Sequence, residues 1–338
     1  MLYSLARSAL FKLDPEVAHD LTLKSLAALG PVAALLGAGA DRAPPTRVMG
    51  LEFPNPVGLA AGLDKNGEYI DALAALGFGF LEIGTVTPRP QPGNPKPRMF
   101  RLEEHDAIIN RLGFNNHGVE RLVRNVERAA FRGVLGINIG RNFDTPNERA
   151  ADDYLLALDA VYDHASYVTV NISSPNTRNL RDLQSSEALD ALLAAVMGRR
   201  AALARRHGRV KPLLVKVAPD LDDEQVAAIA ELAVKHGVDG LIATNTTVGR
   251  EAVKGHRHES QTGGLSGAPL FAPSTAILRR LAQSLGGRVP LVGVGGILSG
   301  ADARAKADAG ASLVQLYTGF VYRGPGLIAR CRESLIRP

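Results

Sequence analysis

Short aliphatic runs alternate with stretches of helical period from about residue 57 to the end of the chain. The runs are VGLA at 57, FLEIG at 80, VLGINIG at 134, YVTVNIS at 167, LLVKVA at 213, GLIAT at 240, PLVGVGG at 290 and SLVQLY at 312. Helical stretches follow them, among them Glu187–Arg206, Asp222–His236 and Ser299–Ala309. The runs are almost continuously apolar, as expected of parallel strands covered on both faces. Eight strand–helix units predict an α/β fold of the (β/α)8 TIM barrel type. A doubly wound sheet is the competing architecture, and the lack of GxGxxG after the first strand weighs against it.

Two helices precede the alternation and form a small N-terminal extension. Leu2, Leu5, Ala6, Ala9, Leu10 and Leu13 recur at helical spacing, with Arg7 and Lys12 on the other side. Asp14-Pro15-Glu16 then reads as a helix start, with Asp14 as N-cap and Pro15 at the first helical position. Ala18, Leu21, Leu26 and Leu29 supply the second apolar stripe. The polar, proline-rich segment Asp41 to Pro45 reads as a linker. Residues 1–42 are thus expected to form a helical segment, and residues 46–338 the barrel.

Three connections after strands are far longer than the usual few residues: Thr85–Asn116, Ser173–Ser186 and Asn245–Leu270. All leave the C-terminal ends of strands, where barrels carry their active sites. Five prolines between Pro88 and Pro97 stiffen the first.

Composition removes several function classes. The single cysteine among 338 residues, Cys331, excludes a disulfide framework and a cysteine-based metal site. A net charge of +5 suits anionic ligands or an anionic membrane surface. It is too mild to argue for nucleic acid, and with no tryptophan and 5% aromatics, base-stacking platforms are not expected. Arg7, Lys12 and Asp14 interrupt any secretory signal. The uncharged run Ser25–Ala40, broken by Gly30 and Pro31, falls short of the ~20 residues that span a bilayer.

Polar residues gather at the strand ends: Asp64 and Lys65, Thr85, Asn138, Asn171, Lys216, Thr244 with Asn245, and Tyr317. A lone asparagine there is more often a turn cap. In a barrel, however, all of these converge on one mouth. Two lysines among amides suit an anion, and Asp64 alone is too little for a hard cation. GVGGI at 293–297, LYTG at 316–319 and TGGLSG at 262–267 offer backbone N–H groups for a phosphate. Lys216 closes an otherwise apolar strand. It suits either the N1/C2=O edge of a flavin or a Schiff base, and the residues leave both open. In NISSPNT, at 171–177, Ser174 has no histidine beside it, so by itself it reads as a Ser-Pro turn.

Nine motifs in order carry a wider resemblance: FKLDPEVAH, GLAAGLDKNGE, EIGTVTPRPQPGNPKPR, INRLGFNNHG, NISSPNT, ATNTT, QTGGLSG, GVGGI and LVQLYTGF. The chain resembles the quinone-dependent (class 2) dihydroorotate dehydrogenases. The soluble class 1 enzymes carry a cysteine where Ser174 stands and lack the N-terminal helical pair. The resemblance implies oxidation of dihydroorotate to orotate in pyrimidine synthesis. FMN would be the cofactor, no metal would take part, and a membrane quinone would be the final acceptor.

By motif, it implies FMN contacts at Ala61, Gly62, Leu63, Asp64, Lys65, Thr85, Asn138, Asn171, Lys216, Thr244, Gly267, Gly296, Tyr317 and Thr318. Substrate contacts fall on Lys65, Asn110, Arg111, Leu112, Gly113, Phe114, Asn171, Asn176, Asn245 and Thr246. Ser174 takes the place of the base that removes the C5 proton, while the C6 hydride goes to flavin N5. A weak base suffices if fixed donors hold the developing enolate. His19, Arg101 and Tyr317 would flank the quinone. The protein is then expected to be a monomer, peripheral on the cytoplasmic face of the cell membrane. Two rival readings are a soluble FMN barrel with another acceptor, and a flavin-free phosphate-binding barrel acting as a lyase or ligand-binding module.

Overall fold

Asp14 caps the second helix as its place before Pro15 implies. Its Oδ1 accepts from the backbone N–H groups of Glu16 (2.9 Å) and Val17 (3.1 Å). The computed structural model describes residues 2–30 and 45–336. The linker read over Asp41–Pro45, except Pro45 itself, lies outside the described residues, as does most of the run Ser25–Ala40. Helices α1 (Leu2–Leu10) and α2 (Pro15–Leu29) form the N-terminal pair. The stripe read on α2 splits: Ala18 and Leu26 are buried, with Leu23 beside them, whereas Leu21 and Leu29 face outward, as do Val17 and, on α1, Leu5. Helical spacing reveals an apolar face without saying which edge of it meets the barrel.

A two-stranded hairpin follows, β1 (Thr46–Val48) and β2 (Leu51–Phe53), and then the barrel begins with β3 (Val57–Leu59), α3 (Ile70–Ala74) and β4 (Phe80–Val86). An excursion carries β5 (Met99–Leu102) and β6 (Ala107–Asn110). The chain returns through α4 (Val119–Arg128), β7 (Val134–Ile139), α5 (Ala150–Val161), β8 (Tyr167–Asn171), α6 (Ser186–His207), β9 (Leu213–Val217), α7 (Asp223–His236) and β10 (Gly240–Ala243). A second excursion carries β11 (Gly264–Gly267). Then come α8 (Phe271–Leu285), β12 (Leu291–Val294), α9 (Gly300–Asp308), β13 (Ala311–Leu316), α10 (Thr318–Arg323) and α11 (Gly326–Ile336).

The eight strands β3, β4, β7, β8, β9, β10, β12 and β13 close in that order into a parallel barrel, as the spacing of apolar runs predicts. Its interior alternates absent and large side chains. A Cβ on Gly58 would lie 2.3 Å from the Phe80 ring, and one on Gly136 would lie 2.1 Å from the Tyr167 ring. Below them Phe53 packs edge-on against Phe80 at 5.1 Å, so the hairpin strand β2 helps to close the floor. Above this apolar layer sits a buried carboxylate. Glu82 Oε1 accepts from Asn138 (2.8 Å), and Oε2 accepts from Tyr167 (3.0 Å) and Gln315 (2.8 Å).

Over the opposite end, β5, β6 and β11 pair antiparallel as a separate sheet. It ties the first long connection to the third and roofs the barrel mouth. The helical pair docks beside this roof. Arg101 donates to the carbonyls of Phe11 (3.0 Å) and Leu13 (2.9 Å), and Arg98 pairs with Glu16 at 3.0 Å. Tyr3 donates to Val321 O (2.6 Å) and Arg7 to Tyr322 O (2.9 Å).

Candidate active site

Between roof and barrel lies a cavity. Its polar wall is a chain of amides that starts at the buried Glu82. A carboxylate only accepts, so Asn138 must turn its NH2 toward Glu82 and its oxygen upward. That oxygen accepts from Thr85 (2.6 Å) and Asn171 (3.2 Å). Asn171 Oδ1 in turn accepts from the Ser173 N–H and hydroxyl, both at 3.2 Å, and lies 3.4 Å from Asn245 Nδ2. One acid thus orients a row of amides reaching the pocket wall at Asn171 and Asn245.

Ser174 lies in the same wall and is buried. Its Oγ accepts the Asn176 backbone N–H at 3.2 Å, a contact that favours negative charge on that oxygen. Asn176 donates from Nδ2 to Asn110 at 3.2 Å, while its Oδ1 is buried without a partner. An orphaned acceptor facing a cavity suits a ligand N–H. Among the described residues no histidine lines the pocket.

Two lysines reach the pocket with no hydrogen-bond or ion-pair partner among the described residues. Burial holds Lys216 below the usual lysine range, against an upward pull from Glu82. Lys65 is lowered to about 8, by burial first and then by Arg98, with Glu16 and Asp64 opposing. At neutral pH Lys65 is therefore mostly charged and available to an anion.

A third wall is made of glycine. A Cβ on Gly267 (φ +93°) would lie 2.1 Å from Asp106 O, and one on Gly296 (φ +76°) 2.4 Å from Phe271 N. Nothing larger fits at either point, so backbone itself forms the surface. Thr318 stands beside them and donates to Ser266 at 2.8 Å.

A second, mostly apolar cleft opens between the helical pair and the barrel. Tyr3, Leu10, Phe11, Ala18, Leu23, Leu63 and Phe320 line it, together with His19 and Arg101. Tyr317, Met99 and Ile108 line both spaces. His19 is lowered to about 4 by burial and then by Lys65, which leaves a neutral imidazole at physiological pH. Burial pushes Tyr317 up to about 12.

A family model described as Dihydroorotate dehydrogenase matches residues 45–337. The chain belongs to the dihydroorotate dehydrogenase family. The Dihydroorotate dehydrogenase (quinone) of Thiobacillus denitrificans is 64% identical over 99% of both chains. The enzyme of that name from Burkholderia pseudomallei is 62% identical over 99% of this chain and 98% of its own. Among solved structures, DHODH from Eimeria tenella in complex with ferulenol is 40% identical with a TM-score of 0.87, covering 95% of this chain and 90% of that one. Its ligand-free form gives 0.86 at the same identity, covering 95% and 94%.

For this dihydroorotate dehydrogenase family member, most residues singled out in the sequence meet in the main cavity. Ala61, Gly62, Lys65, Thr85, Asn171, Lys216, Thr244, Gly267, Gly296, Tyr317 and Thr318 line it, and so do Ser174, Asn110, Leu112, Gly113, Phe114, Asn176, Asn245 and Thr246. Six others lie elsewhere, two of them, His19 and Arg101, in the apolar cleft. Asn138 sits one layer lower, on Glu82. Leu63 lines the apolar cleft instead. Asp64 accepts from the N–H groups of Glu68 (3.0 Å) and Tyr69 (2.8 Å), bracing the chain ahead of α3. Arg111 stands outside, joining Pro97 O (2.9 Å) to Gln261 (2.8 Å). Ser266 and Gln315 line the cavity without having been singled out. The signal for Gln315 is an amide inside the apolar run SLVQLY.

Proposed function

We propose that this chain oxidises dihydroorotate to orotate with FMN as cofactor and passes the electrons to a membrane quinone. The observation that carries the reading is the shared wall at Tyr317. On one side lies an amide-lined pocket with two unpartnered lysines, and on the other an apolar cleft. A flavin held along that wall would supply the hydride- and electron-carrying chemistry, with the lysines and amides facing the substrate on one side and the apolar cleft facing the acceptor on the other.

The chain's own residues then have separate tasks. The Gly267 and Gly296 backbone, with Thr318, suits the cofactor phosphate. Lys216 suits the electron-rich edge of the ring system. Lys65 holds the substrate carboxylate, and Asn110, Asn171, Asn176 and Asn245 hold its ring amides and the oxygen on which enolate charge develops. Ser174 Oγ takes the C5 proton as its own hydroxyl proton passes to solvent water, helped by the Asn176 N–H. Arg101 offers donors to a quinone head, with His19 beside it in the cleft. The outward leucines of α1 and α2, with Lys12 and Lys24 exposed among them, suit peripheral contact with an anionic bilayer at its cytoplasmic face. Among the described residues no helix is long and apolar enough to cross a membrane.

Anaerobic mixing tests the reading. Yellow protein should bleach on adding dihydroorotate and recover its colour with a short-chain ubiquinone analogue. A colourless protein, or one that stays yellow with dihydroorotate, overturns it.

A further inference from the structure

Lys306, on α9, has no exposed surface. Its Nζ donates to Ser274 Oγ at 2.5 Å, lies 3.5 Å from Val294 O and stands 5.2 Å from the centre of the Phe271 ring. No carboxylate lies within ion-pairing distance of it among the described residues. The nearby Asp302 accepts instead from Leu298 N–H (2.9 Å) and the Ser299 hydroxyl (2.9 Å). A buried ammonium without a counter-charge is costly, and such groups are retained only where something compensates them.

The surroundings indicate what that is. Ser274 Oγ also lies 3.1 Å from Gly295 O. Val294, Gly295 and Gly296 line the main cavity, and Gly296 packs on the backbone of Phe271. Every group that Lys306 touches is therefore part of, or directly behind, the glycine wall. On the cavity side that wall presents backbone. The charge sits one side chain behind it, shielded from water.

We propose that Lys306 is the counter-charge for the cofactor phosphate, acting through the glycine wall rather than by contact, and that it sets the preference for a phosphorylated over an unphosphorylated flavin. This rests on the reading that the Gly267–Gly296 wall receives a flavin phosphate. In the structure, burial lowers Lys306 to about 7, with Asp302 pulling the other way. A neighbouring dianion restores the charged form, so cofactor and lysine stabilise each other. A residue that only braced the Gly295 turn would not need a charge, because a neutral donor on Ser274 would serve.

The test compares two flavins on the full chain, loaded with FMN or with riboflavin, with release on dilution followed by flavin fluorescence. In the wild type FMN should be held more tightly than riboflavin. Lys306→Met should weaken FMN by about 10- to 100-fold, as expected for one charge pair at reduced dielectric, and leave riboflavin within about 3-fold. Ser274→Ala keeps the charge and should keep the FMN-to-riboflavin ratio. Equal loss of both flavins in Lys306→Met, or no loss of FMN, overturns the proposal. If Lys306→Met does not fold, Lys306→Gln takes its place. Failure of both, with Ser274→Ala weakening the two flavins equally, also overturns it by making the lysine a brace. A wild type that holds both flavins equally removes the phosphate site itself.

Discussion

As the proposed base, Ser174 relies on fixed surroundings. Its hydroxyl has no histidine partner, only a backbone N–H from Asn176 at 3.2 Å. Replacing Ser174 by Ala should leave flavin bound and slow its reduction by dihydroorotate by roughly 10²- to 10⁴-fold, the usual loss of a general base. Ser174→Cys should recover part of that rate and move its pH dependence downward, because a thiol ionises more easily than an alcohol. Stopped-flow bleaching measures both, and an alanine variant at the wild-type rate would make Ser174 a turn residue. Lys65 gives a second residue-level test. Its charge is present below about 8 and lost above it, so KM for dihydroorotate should rise as pH passes through that value. A flat KM from pH 7 to 9.5 would remove Lys65 from carboxylate binding. Most of these residues were legible because a polar group ending an apolar barrel strand has only the mouth to face. Depth was not legible. Asn138 and Asn171 look alike in sequence, yet one rests on Glu82 and the other lines the cavity. Glu82 itself carried a signal that went unread, a lone charge inside FLEIG, the same clue that marked Lys216.

At the scale of elements, each barrel strand was visible as an apolar run, and α2 as an Asp-Pro start. The roof was not. Its strands β5, β6 and β11 have four residues each, and β11 pairs with β6 across about 150 residues of chain. Local pattern cannot report so distant a pairing. The outward leucines were seen as a stripe, but only docking shows which of them remain exposed. That docking makes α1 and α2 a wall of the apolar cleft and not of the substrate cavity. Deleting residues 1–40 should therefore separate the half-reactions. Bleaching by dihydroorotate should persist, while reoxidation by a long-chain quinone and binding to anionic liposomes should fall sharply. Unchanged turnover with long-chain quinone would make these helices no more than a cover.

For the molecule as a whole, floor and roof together decide how long anything stays inside. Phe53, Phe80, Tyr167 and the Glu82 network fill the bottom of the barrel. The roof is clasped by Arg111, which bonds to the first long connection at Pro97 and to the third at Gln261 without lining the cavity. A cofactor seated there is expected to leave when this sheet lifts. Its residence time should then depend on the opening equilibrium of the roof, a partial unfolding, as well as on the contacts the cofactor makes. Urea far below the unfolding midpoint should accordingly hasten flavin release. Arg111→Ala should release it severalfold faster still, even though no atom of the flavin site has changed. Release insensitive to both would mean that the contacts alone keep time.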